Sequence, residues 1–383
     1  MHFQKYEKCI FFYMKLIEII KNIEDWAPKE IAWQKDNVGL QVGDSDKRVK
    51  NILLCLEVDD SVIDEALKKK CNLIISHHPL LFSPIKKITP AHDFTSRIIQ
   101  KLIKNDITLY SAHTNLDYTK DGVSFQLANK LELKNINFLV NLKSNQYKIV
   151  VFVPEKDYEM VAGAMFNAGA GKIGEYSKCS FRSEGTGTFR GTAKTKPNVG
   201  RKEKFESFPE IKLEMLVDRW KIDSIIKAMK KAHPYEEPSF DIYPIDNFNT
   251  QYGIGAAGDL EKEFELKEFL SYISTKLNVK SFRYANGTKK TIKKVAVCGG
   301  SGSEYLKDAV SQKCDAFITA YIKYHTFIEA ERDILLIDAG HYETEIFSLN
   351  EIKKRILMNP DRDKEIKVFS YSGSTNPVIF YNK

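Results

Sequence analysis

The sequence lacks the features that mark membrane-spanning and secreted proteins. No apolar run approaches the roughly 18 residues that a membrane helix requires, and the start of the chain has no small-residue cleavage site of a secretory signal. No two cysteines have the Cys-x-x-Cys spacing. In a chain of this length we interpret the cysteines as reduced core thiols of a cytoplasmic protein. They are Cys9, Cys55, Cys71, Cys179, Cys298 and Cys314.

A concentrated basic stripe is also missing. The net charge of +7 arises from lysines scattered among glutamates, which is typical of a solvated surface, so we do not expect nucleic-acid binding. The 383 residues exceed what one hydrophobic core usually organises, and two or three domains are expected. An amphipathic helix is predicted from about Met14. Residues 1–13 are then either an extension or the product of an upstream start codon.

The sequence does contain a segment that occurs twice. Residues 51–78 ("NILLCLEVDDSVIDEALKKKCNLIISHH") align without a gap with residues 294–321 ("KVAVCGGSGSEYLKDAVSQKCDAFITAY"). Each segment has the pattern of a βαβ unit, and each is followed by a further helix and strand. Any two βαβ units look somewhat alike. Here, however, two cysteines of one segment fall on two cysteines of the other, which favours duplication.

Polar side chains follow the predicted strands of both halves. The stretches that carry them are "CNLIISHHPL" and "AHTNLD" in the first half and "DAGHYETE" in the second. Ligands of open α/β sheets bind beyond the carboxyl ends of the strands, so we expect these side chains to meet in a cleft between the halves. They are His77, His78, His113, Asp117, His341 and Glu345.

Five of these residues have the chemistry of a metal centre. A set of imidazoles and carboxylates suits Zn, Fe or Mn better than Ca or Mg alone. Five ligands exceed what one catalytic ion uses and match two ions, about 3.5–4 Å apart, that share a carboxylate. Glu345 follows His341 by four residues, so both reach the same side of a helical turn. The predicted ligands are His77, His78, Asp117, His341 and Glu345.

Two further histidines are predicted to act in catalysis. A lone histidine is more often a structural hydrogen-bonding residue than a ligand, so His113 is expected to orient a ligand from behind or to move protons. His325, in "KYH", is either a proton shuttle or, more commonly in such a position, a surface histidine at a helix start.

Residues 146–246 interrupt the two halves. A strand, a helix over 156–168 and a glycine-rich stretch precede a second strand, a second helix and a strand within "HPYEEPSFDIYPI". This order predicts a small ferredoxin-like α+β domain with its helices on one face.

Several long motifs resemble the Nif-three-like family, whose members are named GTP cyclohydrolase 1 type 2 homologs. They are, in order, "DNVGLQVG", "SHHPLLF", "AHTNLD", "VAVCGGSGS" and "DAGHYETE". The resemblance implies an α/β core of two pseudo-symmetric three-layer lobes, residues 14–140 and 255–383, with residues 146–246 as an insert similar to PII and CutA proteins. It also implies two divalent metal ions on the same five residues, and a toroidal homohexamer.

Two positions depart from the family pattern. Tyr321 stands where an acidic residue is usual, and Lys35 stands where Trp is common. Losing the carboxylate leaves the predicted ligands intact but puts turnover in doubt. Two functions are therefore open: a metal-dependent hydrolase of a nucleotide or related small molecule, and a non-catalytic metal-binding regulatory or scaffold hexamer with a ligand-sensing insert.

Overall fold

The computed structural model describes residues 14–142, 145–359 and 364–381. Residues 1–13, including Cys9, lie outside the described residues. The chain divides into two compact units. One holds the residues up to Val140 and from Tyr252 onward, and the other is Asn141–Gln251. None of the helices in the described ranges has the length and apolar character that crossing a bilayer requires.

The helices begin and end as follows in chain order. They are α1 (Leu16–Trp26), α2 (Asp60–Lys68), α3 (Phe94–Lys104), α4 (Thr114–Asp117), α5 (Val123–Lys130), α6 (Tyr158–Asn167), α7 (Ile222–Ala232), α8 (Leu266–Leu277), α9 (Leu306–Ser311), α10 (Tyr324–Ala330), α11 (His341–Glu345) and α12 (Ser348–Met358). Short 3-10 turns cover Lys29–Ile31, Glu155–Asp157, Arg219–Lys221 and Ser303–Tyr305.

The strands form several sheets of a mixed α/β fold. They are β1 (Gly39–Val42), β2 (Asn51–Cys55), β3 (Leu73–Ser76), β4 (Thr108–Ser111), β5 (Lys134–Asn137), β6 (Val140–Asn141), β7 (Gln146–Pro154), β8 (Phe181–Arg190), β9 (Phe205–Asp218), β10 (Phe240–Pro244), β11 (Gly253–Ile254), β12 (Ala256–Glu265), β13 (Arg283–Ala285), β14 (Thr291–Ser301), β15 (Ala316–Ala320), β16 (Leu335–Asp338) and β17 (Lys367–Ser370).

The first large sheet has the strand order β1-β4-β3-β2-β17. Strands β17, β2, β3 and β4 are parallel, and β1 pairs antiparallel with β4. Alternate side chains enter two separate cores: Leu54 and Ile75 pack towards α1 and α12, whereas Leu53 and Ile74 pack towards α2 and α3. Helices cover both faces of the sheet. Both sets of alternate side chains are therefore apolar, which explains continuous apolar runs such as "LIIS".

The second large sheet has the strand order β13-β16-β15-β14-β12-β5. Strands β14, β15 and β16 are parallel, and the flanking strands are antiparallel. Ile318 packs towards α5 and α8, while its neighbour Phe317 packs towards α9 and α10. Strands β2 and β3 lie in the first aligned segment of the sequence, and most of β14 and all of β15 lie in the second, so His77 and Tyr321 both follow a central parallel strand.

Each half of the chain gives one strand to the sheet of the other half. Strand β17 pairs with β2, Ser370 lying opposite Leu54. Strand β5 pairs with β12, Asn137 lying opposite Ala257. The pattern of the sequence did not predict this exchange. Because of it, neither large sheet is made from a contiguous stretch of the chain.

The Asn141–Gln251 unit contains a four-stranded antiparallel sheet in the order β10-β7-β9-β8. Helices α6 and α7 cover one face, where Val151, Met165 and Leu213 form part of the core. Strand β8 was not predicted, because its "EGTGT" stretch has the composition of a loop. The structure shows it as an exposed edge strand. The strand predicted within "HPYEEPSFDIYPI" begins only at Phe240, after the prolines and acidic residues.

Leu54 tests the first core, because its side chain is fully buried between β3 and β17. We expect Leu54→Ala to lower the free energy of unfolding by about 2–5 kcal/mol, since it leaves a cavity that the sheet cannot fill. Urea denaturation followed by circular dichroism measures the change. Leu67→Ala on α2 is the control, because Leu67 is 43% exposed. Equal losses in the two variants would contradict this description of the core.

Candidate metal centre

The first corner of the candidate centre lies where β3 ends. The backbone N–H groups of His77 and His78 donate to the carbonyls of Cys55 (3.1 Å) and Leu56 (2.9 Å), so both residues continue the parallel ladder. Ser76 Oγ donates to the His78 carbonyl at 2.8 Å. The two ring centroids are 4.8 Å apart. The two adjacent histidines therefore place both imidazoles at one strand end.

The second corner follows β4. His113 precedes α4 and Asp117 ends it, so a single helical turn separates the two side chains. His113 Nδ1 donates to Asp36 Oδ1 (3.0 Å), and the Thr114 N–H donates to Asp36 Oδ2 (3.1 Å). Burial opposes ionisation of Asp36, but the hydrogen bonds with His113 and Thr114 hold its pKa below the usual range. Asp36 is thus a carboxylate that fixes the His113 ring.

The third corner is α11, which comes from the second half of the chain. His341 begins this helix and Glu345 ends it, and His341 Nε2 lies 3.0 Å from Glu345 Oε1. Gly300, in β14, has φ +64°, and a Cβ there would overlap Glu345 Oε1. Its N–H donates to Thr344 Oγ1 at 3.0 Å. Only a glycine leaves room for the buried Glu345 at this point.

The structure brings the five predicted ligands together. Glu345 Oε2 lies 3.1 Å from His78 Nε2, and Glu345 Oε1 lies 3.7 Å from His77 Nε2. The Nε2 atoms of His78 and His341 are 3.1 Å apart. Asp117 Oδ1 lies 3.6 Å from His77 Nε2. Residues that are more than two hundred positions apart in the sequence thus converge on one point of a single compact unit.

The hydrogen bonds of the histidines determine which nitrogen faces this point. His77 Nδ1 lies 2.8 Å from the Ala112 carbonyl, and His78 Nδ1 lies 2.8 Å from Glu57 Oε1. His77 Nδ1 must donate, because a carbonyl oxygen only accepts, and the His77 ring, when neutral, then presents an Nε2 lone pair. His77 Nε2 and Asp117 Oδ1 are buried and have no hydrogen-bond partner among the described residues. Lone pairs that face one another in this way fit a cation.

The carboxylates at the centre differ in their protonation. Burial raises the pKa of Asp117. Burial also opposes ionisation of Glu345, yet the neighbouring imidazoles, His77 foremost, hold its pKa well below the usual range. Burial likewise opposes the charge of His78, but hydrogen bonds with Glu345 and Glu57 outweigh it and raise the pKa of His78 to about 10. The ionised Glu345 therefore has a positive partner in the His78 ring, and a metal ion held here would displace the Nε2 proton of that ring.

Two overlapping groups of side chains can hold a metal ion. Within each group, one ligand atom per residue lies within 4.8 Å of the others. The groups are His77, His78 and His113, and His78, His341 and Glu345. Imidazole nitrogens with a carboxylate oxygen are a donor set for Zn, Fe or Mn. His78 belongs to both groups, so its orientation affects the whole centre.

Comparison with known proteins shows the family of the chain. Residues 14–377 match the family model Duf34/NIF3 (NGG1p interacting factor 3). The chain belongs to this family. A Bacillus subtilis relative named GTP cyclohydrolase 1 type 2 homolog is 38% identical over 365 residues, which cover 95% of this chain and 98% of the relative. A Listeria monocytogenes relative of the same name is 38% identical and covers 91% of this chain and 92% of its own.

A solved structure of a family relative has the same fold. The crystal structure of a Bacillus cereus protein related to NIF3 superposes with a TM-score of 0.82 at 35% identity, covering 96% of this chain and 100% of that one. The family predicted from the five sequence motifs is thereby confirmed. The relatives' names do not by themselves state what this Duf34/NIF3 protein binds or converts.

The two departures from the family pattern lie in different surroundings. The Tyr321 ring is 64% exposed, and its centroid lies 5.1 Å from that of His341. Tyr321 has φ +55°, which is uncommon for a bulky residue. Lys35 is exposed, with its ammonium 5.9 Å from the Trp33 ring centroid. Only the Tyr321 departure therefore adjoins the histidines of the centre.

His325 is not brought into the group of ligands. It is exposed on α10, and its ring lies against Tyr324 with centroids 5.6 Å apart. Its proton-shuttle role stays a prediction. His113, by contrast, has a ring nitrogen within the first group of possible ligands.

Three residues support the candidate centre although the sequence pattern assigned them no role. Asp36 fixes His113, Glu57 fixes His78, and Gly300 leaves room for Glu345. The histidines were selected because they follow predicted strands. Glu57 follows the strand β2, so it could have been selected in the same way. Gly300 gave no such signal, because its role depends on a residue 45 positions further along the chain.

Gly300→Ala tests the close approach of Glu345. Gly174→Ala is a matched control, since Gly174 has a similar φ (+57°) and no atoms within 4 Å of its Cβ position. Both variants place alanine in the left-handed region at about 1–2 kcal/mol, but only Gly300→Ala displaces Glu345. We expect only Gly300→Ala to lose bound Zn²⁺, measured by elemental analysis after dialysis. Equal metal content in the two variants would contradict the role of Gly300.

Proposed function

We propose that the protein is a metal-dependent hydrolase that acts on a nucleotide or a related small molecule. Two divalent ions, Zn, Fe or Mn, are held by His77, His78, Asp117, His341 and Glu345. The observation that supports this is the convergence of buried, unpaired lone pairs of His77 and Asp117 beside the ionised Glu345. Bound as a pair, such ions supply hydroxide near neutral pH and polarise a carbonyl, amidine or phosphoryl group.

The side chains of the protein orient and move protons around the ions. The Ala112 carbonyl and Glu57 contact the Nδ1 atoms of His77 and His78, so that the Nε2 atoms of the two rings would be available to hold the ions. Asp36 holds His113 by Nδ1, which leaves its Nε2 to accept a proton from water and pass it to a leaving group. His325 is the candidate for a second proton transfer from the neighbouring surface.

The names of the relatives are the reason for the substrate class that we propose. The Bacillus subtilis relative is named for GTP cyclohydrolase, so GTP is the first substrate to examine. One water would open the five-membered ring of guanine at C8 to a formamide, and a second water would cleave the formamide and release formate. The exposed Tyr321 ring beside His341 offers a surface on which a purine can stack.

The same proposal includes the architecture that the resemblance implies. Residues 14–140 and 255–383 form two pseudo-symmetric lobes, and the corresponding order of their parallel strands supports this. Residues 146–246 form a ferredoxin-like insert of the PII and CutA type, supported by the order β10-β7-β9-β8, which is fourth-first-third-second along the unit. We further propose a cytoplasmic location and a toroidal homohexamer, in which these centres face a central cavity.

A cavity in the Asn141–Gln251 unit favours a second function. It has a volume of about 540 Å³, within the range of small-molecule sites. Phe152, Phe189 and Tyr235 line it together with Glu210 and Glu236, and Tyr235 donates to Glu210 at 3.0 Å. The protein would then be a non-catalytic metal-binding regulator or scaffold whose insert senses a ligand. The carboxylates favour a ligand with a positive charge over a phosphate.

Formate release tests the hydrolase. Protein loaded with Zn²⁺, Mn²⁺ or Fe²⁺ is incubated with GTP, and formate and ring-opened product are measured by NMR. We expect product from the wild type and at least about a hundredfold less from Glu345→Gln, which removes the negative charge at the ions but keeps the shape. Glu329→Ala, an exposed acidic residue on α10 paired with Lys307, is the control. Metal-loaded wild type that yields no more product than Glu345→Gln would overturn this activity.

Thermal shift tests the ligand-sensing alternative. Phenethylamine and phenylacetate have a similar shape and opposite charge, so only the amine should stabilise the insert if its cavity binds cations. We expect Glu210→Gln to abolish the shift and Glu159→Gln to retain it, because Glu159 accepts from Tyr158 on α6, and neither residue lines the cavity. A ligand at a hundred times its dissociation constant adds about 2.7 kcal/mol to the free energy of unfolding. Equal shifts with both compounds would count against the alternative.

A further inference from the structure

A short segment after β17 spans the edge of the candidate centre. This segment, Tyr371–Asn376, is here named the strap. Its first residue is bound to the first sheet: the Tyr371 N–H donates to the Leu54 carbonyl (2.8 Å), and the Tyr371 hydroxyl lies 2.7 Å from Ser61 Oγ. The next residue is bound to α2, since the Ser372 N–H donates to Glu65 Oε1 at 3.0 Å.

The far end of the strap reaches two sides of the centre. Thr375 Oγ1 donates to Glu57 Oε2 at 2.8 Å. Asn376 Nδ2 donates to Glu343 Oε1 at 2.8 Å. Glu343 lies on α11 between two of the predicted ligands, and Glu57 follows β2 in the other half. The strap therefore connects the elements on both sides of the metal ions by side-chain hydrogen bonds.

Glu57 links the strap to a predicted ligand. Its Oε1 forms an ion-pair contact with His78 Nδ1 at 2.8 Å, while its Oε2 accepts from Thr375 Oγ1. Of the carboxylates, it is Glu57 that contacts the Nδ1 side of His78, opposite to the Nε2 atom that faces Glu345. This is the arrangement in which a carboxylate fixes the tautomer and the orientation of a metal-binding histidine. Glu57 is thus a positioning residue.

We propose that the strap controls how tightly the centre retains its metal ions, through Thr375, Glu57 and His78. The proposal rests on the proposed metal-dependent function. His78 belongs to both groups of possible ligands, so loss of its orientation weakens both ion positions. The strap is attached at both ends, and its middle residues, Ser372 to Ser374, are exposed. Such a segment can detach while the buried core stays folded, which makes it suited to regulate metal exchange.

Competition with a chelator tests the strap. The Zn²⁺ dissociation constants of the full-length protein are measured for the wild type, Glu57→Ala, Glu57→Gln and Thr375→Val. We expect binding to weaken about 10–100-fold in Glu57→Ala and less in Glu57→Gln, which still accepts from His78. Thr375→Val should weaken it about fivefold through the loss of one hydrogen bond. The melting temperature of the metal-free protein should not change in any of these variants.

Thr275→Val is the matched control for Thr375→Val. Thr275 Oγ1 donates to the Ser271 carbonyl within α8 at 2.9 Å, so the control loses a comparable hydrogen bond outside the strap. If the wild type binds Zn²⁺ and the Glu57 and Thr375 variants bind it within about twofold of the wild type, the strap proposal is wrong while the metal centre stands. Equal weakening in Thr275→Val would also overturn it. A wild type that binds no divalent metal would overturn the proposed function itself.

Discussion

A group of buried hydrogen-bond acceptors that lack donors constrains the structure of the core. His77 Nε2 and Asp117 Oδ1 lie 3.6 Å apart and are buried without a hydrogen-bond partner among the described residues, and Glu345 Oε1 lies 3.7 Å from the same His77 nitrogen. Such an arrangement is costly in a protein interior unless a cation is present. The strand ends, the one-turn helices α4 and α11 and the glycine at position 300 all serve to bring these groups to one point.

The geometry also explains why adjacent histidines occur at residues 77 and 78. Within a strand their rings would point to opposite faces. Here the two residues lie just beyond β3, where their N–H groups donate to the carbonyls of Cys55, at the end of β2, and Leu56, which follows it. One ring is fully buried and held by a carbonyl, and the other is partly exposed and held by a carboxylate. The pair is therefore asymmetric, and only His78 is connected to the strap.

Much of the core and of the candidate centre could be predicted from the sequence. Parallel strands appear as continuous apolar runs, and the residues that follow them are found at one edge of the sheet, which is why the sequence pattern alone singles out His341 and Asp117. The pairings of β5 and β17 with strands of the other half could not be predicted in this way. Pairing between distant segments leaves no local pattern in the sequence. Strand β8 was missed because its glycines and exposed side chains have the composition of a loop, and its pairing with β9 outweighs that composition.

The exchanged strand β17 has a consequence for how the protein is made. Its partner β2 leaves the ribosome more than three hundred residues earlier, so the nascent first half has an incomplete sheet with an open edge throughout most of translation. The histidines after β3 and the helix α11 are likewise synthesised far apart. The group of His78, His341 and Glu345 can therefore form only after α11 has been synthesised, and the edge of β2 stays open to wrong pairing until Lys367–Ser370 emerges.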